Sequence, residues 1–255
     1  MWKPSGEIIE LNVLDEVNIY INALKIRTSY NYDNIPEISN LEFVNLDEIS
    51  NFKTAKRAEE HAAGRYLLHQ MLLRYFPSIE CSFVEILRDQ NRAPYFNWIN
   101  STFNRITLPN FSISTSGNFA VVAICEPNYV VGVDIEKSNQ IRSVNLFDFL
   151  SSDDELIEMK KLCKINGNRE INMIWTIKES ILKALRLGMS LSPTKIKILD
   201  KNSKVKKVVE YEGVKFNLKS QIIDLGEEYS FSIAYKKKDI QNEFKMRIAG
   251  IEPTT

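Results

Sequence analysis

The sequence predicts an α+β protein of two similar halves, each an antiparallel sheet packed on a long helix. Three observations predict it. A pattern of strands, then a long helix, then strands occurs once before about residue 125 and once after it. At the junction an apolar, β-branched run, Phe119 to Cys125, passes through a turn at Glu126-Pro127-Asn128 into a second strand signal at Val130-Val131. The stretch from Thr194 to Tyr235 alternates as an antiparallel meander would. The expected division is residues 1–125 and 126–255, with 239–255 as a surface tail.

Taken in order, apolar runs between residues 8 and 28 suggest one or two strands. Residues 30–52, rich in Asn, Asp and Ser around Pro36, suggest a loop with a short helical turn. From Lys53 the period changes. Leu68, Leu72 and Phe76 are spaced by four, as are Leu67, Met71 and Tyr75, which predicts a helix of about five turns ending before Pro77. Within it, Gly64 marks a place where another backbone packs closely, and Arg65 taken alone is a solvated helix arginine. Ile86 to Phe96 suggests a strand leading into a Pro-punctuated loop. Asn110 to Gly117 alternates apolar and hydroxyl residues, so Phe111 and Ile113 face a core while Ser112, Ser114 and Ser116 share the other face. Such hydroxyls beside a Gly turn can bind phosphate or can form an ordinary strand rim.

In the second half, residues 146–164 are expected to be helical, with Ser152-Asp153-Asp154-Glu155 fitting a capping box. Arg169 to Leu187 predicts another helix, stopped by Gly188. On it Trp175, Glu179 and Lys183 are spaced by four and share one face. An exposed face rarely leads with tryptophan, so this face is read as lining a cleft. Strands are expected at Lys195–Leu199, Val208–Tyr211, Val214–Leu218 and Tyr229–Tyr235.

Lys+Arg and Asp+Glu are both 33, so the net charge is zero. That excludes the global basic bias of a nucleic-acid or anionic-membrane binder. No apolar run approaches the roughly 18 residues of a membrane span, and the N-terminal residues show no signal-peptide apolar region. Cys81, Cys125 and Cys163 are odd in number and far apart, as reduced thiols of a cytoplasmic protein would be. Only His61 and His69 exist, so any metal should be held by oxygen.

The chemistry concentrates at Val131-Gly132-Val133-Asp134-Ile135-Glu136-Lys137. In a strand Asp134 and Glu136 point the same way, about 7 Å apart at the Cα atoms, while Ile135 points into packing. Two carboxylates so placed repel each other unless a cation sits between them.

Gly132-Val-Asp-Ile-Glu136, followed about forty residues later by Trp175-x-x-Lys178-Glu179-Ser180-x-x-Lys183, resembles the paired signature of 4′-phosphopantetheinyl transferases. Arg57-Ala-Glu-Glu-His-Ala-Ala-Gly-Arg65, Arg92-Ala-Pro94, Phe111-Ser-Ile-Ser114 with Ser116-Gly117, and Phe149-Leu-Ser-Ser-Asp-Asp-Glu155 resemble its long, surfactin-synthetase-activating branch. The resemblance implies two pseudo-symmetric halves with coenzyme A in the cleft between them. It implies transfer of the phosphopantetheine arm to a serine of an apo acyl, polyketide or peptidyl carrier protein, by a cytoplasmic monomer. Asp134, Glu136 and Glu179 match acidic ligands of Mg²⁺, or Mn²⁺. Lys178 and Lys183 match residues that meet phosphates. Arg65 and Arg92 match basic groups near the nucleotide, and Ser114 a position near the 3′-phosphate. Glu179 is the implied base, with Asp134 and Lys183 beside it. The family usually has histidine where this chain has Thr115, which cannot carry charge. Weaker 3′-phosphate discrimination, or compensation by a nearby lysine, is therefore expected. A catalytically silent relative would be expected to lack an acidic ligand or Lys183, and all are present. A nucleotide-triphosphate loop of the Gly-x-x-x-x-Gly-Lys-Ser/Thr type is absent.

Overall fold

The computed structural model describes residues 4–15, 18–27, 38–100, 102, 106–143 and 145–238. Of the loop expected over 30–52, residues 30–37 lie outside these residues, and so does the expected tail at 239–255; the short helical turn expected in that loop is Leu46–Ser50. The architecture is α+β with antiparallel sheets, as the alternation patterns predicted. The first sheet has the order β1-β2-β6-β5, from β1 (Ile8–Glu10), β2 (Ile19–Lys25), β5 (Asn110–Ser116) and β6 (Phe119–Cys125). The second has the order β7-β10-β9-β8, from β7 (Tyr129–Lys137), β8 (Val208–Tyr211), β9 (Val214–Asp224) and β10 (Glu228–Lys237). A separate hairpin joins β3 (Val84–Arg88) to β4 (Pro94–Trp98).

Three apolar clusters stack the elements. In the first, α2 (Ala55–Tyr75) lays Leu67, Leu68, Met71 and Leu72 against Val122 and Ile124 of β6. Full burial of such side chains stabilises by about 1.5–3 kcal/mol each. The helix begins at α1's heels: α1 (Leu46–Ser50) precedes it, and Thr54 caps it by accepting from Arg57 N at 3.2 Å. The second cluster joins the two sheets face to face through Ile21, Val121, Val133, Ile135, Phe231 and Ile233. The third packs α5 (Asn168–Ala184) on the second sheet through Ile174, Ile177, Ile181 and Phe216. The order is thus helix, sheet, sheet, helix.

Several expectations are corrected by tertiary contacts. Pro94 opens β4 instead of breaking a strand, a first-residue position where its missing N–H costs no ladder bond. The neighbour of Gly64 is a side chain: a Cβ there would meet Ile113 Cγ2 at 3.0 Å. The helix expected over 146–164 is two, α3 (Leu146–Leu150) and α4 (Asp153–Asn166), broken at Ser151-Ser152. Ser152 makes no side-chain cap bond, its hydroxyl donating to Asp153 Oδ2 at 3.1 Å, and Glu155 does not turn back to it. Glu155 is buried, accepting from Ser151 Oγ at 2.9 Å, Lys178 Nζ at 2.7 Å, and the amides of Ile198 and Leu199 at 2.5 and 3.0 Å. Those two amides are therefore unavailable to a sheet, and Lys195–Leu199 is not a strand. Only a single bridge, Leu199 to Val205, forms there. α5 ends at Ala184, four residues before Gly188.

Candidate active site

β5 and β7 are edge strands of different sheets, and they face each other through serine hydroxyls instead of a backbone ladder. Ser112 Oγ accepts from Val133 N at 3.0 Å and Ser114 Oγ from Ile135 N at 3.4 Å. Unpaired strand-edge amides need partners when buried. The alternation in Ser-x-Ser-x-Ser matches the alternation of β7 amides that point away from β10. The same hydroxyls hold the two acids: Ser114 Oγ donates to Asp134 Oδ1 at 2.7 Å and Ser116 Oγ to Glu136 Oε2 at 2.8 Å. Ile135 between them is buried between the sheets, as the strand period predicted.

Gly132 brings α5 onto this seam. A Cβ at 132 would lie 2.0 Å from Ser180 O and 2.4 Å from Ala184 N, so the strand and helix backbones touch. Contact at this spot carries Glu179 and Lys183 to the acids. Lys183 Nζ donates to Asp134 Oδ1 at 2.7 Å, Val133 O at 3.0 Å and Ile113 O at 3.3 Å. Burial raises the Glu179 carboxyl above its ordinary range; Lys183 opposes that, and the nearby negative charges of Asp134 and Glu136 add to it. Asp134 Oδ2 is buried without a hydrogen-bond partner. Trp175, on the same face, lies under the Arg142 guanidinium at 5.2 Å. Among the described residues no three His, Cys, Asp or Glu side chains stand grouped as they would around a metal ion. Each strand acid instead faces a cation: Asp134 faces Lys183, and Glu136 faces Arg142 at 3.1 Å.

Two adjoining pockets flank the seam. One, of about 190 Å³, is lined by Arg57, His61, Arg65, Arg88, Ser114 and Thr115 among others. Glu48 anchors its base through paired contacts with Arg88, which hold the Glu48 carboxyl below its usual range. Arg65 is buried, not solvated as an isolated reading suggests; burial lowers it to about 10. Its Nη1 and the Nε2 of His61 are buried without partners. Burial, then Arg65, lowers His61 to about 3, so this ring is neutral. Arg57 Nη1 reaches Thr115 Oγ1 at 3.5 Å, so the cation beside Thr115 is an arginine and not a lysine. The second pocket, of about 220 Å³, has Asn91, Arg92 and Ala93 on one wall and Glu179, Lys183 and Arg186 on the other, over Phe111 and Ile113.

A family model of the 4′-phosphopantetheinyl transferase superfamily matches residues 130–234, from the start of β7 to near the end of β10. Over these residues the chain is similar to that superfamily. A search of curated proteins finds no match for the chain.

Against the phosphopantetheinyl transferase signature, the structure gathers Asp134, Glu136, Glu179 and Lys183 at one seam, with Arg65, Ser114 and Thr115 lining one adjoining pocket and Arg92 the other. One signature residue is placed elsewhere. Lys178, expected to meet phosphate, has its Nζ buried, donating to Glu155 Oε2, Leu150 O and Ile196 O at 2.7–2.8 Å, with Ser151 Oγ and Pro193 O farther out. It sits about 100° round the helix from Glu179 and about 140° from Lys183. Its role is to tie α5 to α3 and α4. Ser114 borders the pocket, but its hydroxyl proton is committed to Asp134. The residues that sequence reasoning missed are His61 as a pocket wall, Arg142 beside Glu136, and Arg186. Arg142 carries no motif signal; its guanidinium is set by Asn172 Oδ1 at 2.6 Å, and Asn172 in turn donates to Ser138 O and Gln140 O.

Proposed function

We propose that this protein transfers the 4′-phosphopantetheine arm of coenzyme A to a serine of an apo carrier protein, releasing 3′,5′-ADP. The observation that carries the reading is the meeting of Asp134, Glu136, Glu179 and Lys183 at one seam beside a pocket of arginines. In this reading the chain is of the long type, with residues 1–125 supplying nucleotide contacts and 126–255 the acids and the catalytic helix. It acts as a cytoplasmic monomer.

Asp134, Glu136 and Glu179 would hold Mg²⁺, or Mn²⁺. The fit rests on the orphaned, buried Asp134 Oδ2 and on the mutual repulsion that helps to raise Glu179. Hard oxygen donors suit such a cation, which when bound neutralises a diphosphate and improves its leaving group. Lys183, next to Asp134, offers its ammonium to the same phosphates. Arg65 is buried with a free guanidinium N–H in a pocket, an arrangement that gains from an anion. Arg57 supplies the positive charge that Thr115 lacks at the 3′-phosphate end. The carrier serine attacks the β-phosphorus in line; its oxygen forms the new P–O bond as the bond to the bridging oxygen breaks. Glu179 takes the serine proton, directly or through a water, and its raised affinity for protons brings it closer to that task. Lys178 and Ser114 act only by fixing α5 and Asp134.

The test is the intact mass of apo carrier proteins incubated with the protein, coenzyme A and Mg²⁺. One phosphopantetheine arm should be gained on at least one carrier and lost with chelator. Unchanged fatty-acid, polyketide and peptide carriers, with coenzyme A still bound, would instead identify a silent coenzyme A-binding relative.

A further inference from the structure

The end of the catalytic helix is built from an unexpected residue. α5 closes with Leu187 N donating to Leu182 O at 3.2 Å and Arg186 N to Lys183 O at 3.0 Å, the two bonds of a Schellman cap. Arg186 occupies the left-handed position of that cap, with φ of 58°. Glycine takes this conformation without strain and a long side chain does not. Gly188 lies only two residues away, yet the cap forms on the arginine.

The guanidinium accounts for the choice. It reaches over the second pocket to the β3–β4 turn: Nε donates to Asp89 Oδ2 at 3.1 Å, Nη1 to Pro94 O at 3.2 Å and Nη2 to Ala93 O at 3.1 Å. Its face lies 5.6 Å from the Tyr95 ring. Asp89 is itself the organiser of that turn, its Oδ1 accepting from Asn91 N at 3.0 Å and Ala93 N at 2.9 Å. One side chain, three residues past Lys183, therefore ties the whole turn to the catalytic helix. The turn forms one wall of the pocket whose other wall holds Glu179 and Lys183.

We infer that Arg186 is a positioning residue, a latch that holds the Asp89–Pro94 wall of the cleft closed against α5 before ligand arrives. For coenzyme A this rests on the transfer reading above. A cleft held closed binds with its intrinsic affinity; when the closed state is only partly populated, apparent affinity falls by that fraction. The bound enzyme is closed in either case, so the loss falls on KM and not on kcat.

Arg186→Gly removes the latch and relieves the left-handed backbone, so stability and affinity should part. The thermal midpoint should stay near wild type, while Kd for coenzyme A by calorimetry and KM in transfer rise about tenfold, with kcat nearly unchanged. Arg186→Lys keeps the charge but not the fork, and should recover little of the affinity. Amide hydrogen exchange at 89–94 should quicken in Arg186→Gly, with the interior of α5 unchanged. A fall in kcat at constant KM would make Arg186 a fold residue only, and unchanged exchange at 89–94 would overturn the latch outright. If wild type neither binds coenzyme A nor transfers its arm, the functional reading fails, and the exchange measurement still decides the latch.

Discussion

Replacing Gly132 by alanine tests the contact that assembles the site. The added Cβ would stand 2.0 Å from Ser180 O, 2.4 Å from Ala184 N and 3.0 Å from Lys183 C, all backbone atoms of one helix. Real Cβ contacts essentially never fall below 3.0 Å, so α5 must retreat from β7 by about 1 Å, with no flexible side chain to absorb the change. Overpacking of this kind costs about 1–3 kcal/mol, which leaves a domain of ordinary stability folded. The catalytic cost is larger. The retreat pulls Lys183 from Asp134 Oδ1 and Val133 O, now at 2.7 and 3.0 Å, and moves Glu179 with it. A misplacement of about 1 Å in a positioned site costs on the order of 100-fold in rate. The assay is arm transfer at saturating substrates, beside a urea titration of the same preparation. The expected result is a rate loss far beyond the loss of folded protein. Full activity at an unchanged urea midpoint would refute the claim that this backbone contact sets the geometry.

Three further outcomes concern individual charged or titratable side chains. Lys178→Met should destabilise by about 3–5 kcal/mol by chemical denaturation, since it leaves Glu155 as a buried acid without its cation; a normal urea midpoint with raised KM would return Lys178 to the phosphate site. His61 titrates near 3 when folded against an ordinary 6.5, so the unfolded chain binds more protons between those values. The stability this contributes is present above pH 6.5 and is lost as pH falls, by about 2 kcal/mol between pH 7 and 5. In His61→Phe that part of the pH slope of urea stability should vanish, and an unchanged slope would contradict it. Arg57→Gln should narrow the preference for coenzyme A over its 3′-dephospho form by about tenfold, the worth of one charge-assisted hydrogen bond; an unchanged ratio, with Thr115→His also neutral, would move 3′-phosphate reading elsewhere.

Much of this arrangement was legible in the sequence because it is local. The spacing of Leu67, Leu68, Met71 and Leu72 gave α2, and the Ser-x-Ser-x-Ser alternation gave the face that turned out to be the seam with β7. Asp134 and Glu136 fell on one face because a strand has a period of two. What escaped depended on distant partners. Ser152-Asp-Asp-Glu155 has the same local pattern whether Glu155 caps a helix or buries itself under Lys178, and only the fold decides. Ile196 and Ile198 alternate like a strand, but Glu155 takes the amides of Ile198 and Leu199. Lys178 could have been caught: five residues before Lys183, it lies about 140° round the helix from that residue. Gly188 drew the expected helix end to Leu187, three residues past Ala184, since nothing nearby signals that Asp89, nearly a hundred residues earlier, selects Arg186.

The central claim is that the acids at the β5–β7 seam perform the transfer, and one comparison tests it most directly. A single apo carrier is incubated with coenzyme A, Mg²⁺ and either wild type or Asp134→Ala, at matched folded concentration, and weighed intact. The account predicts one added arm with wild type and an unmodified carrier with Asp134→Ala. Equal modification by both proteins would place the chemistry away from this seam.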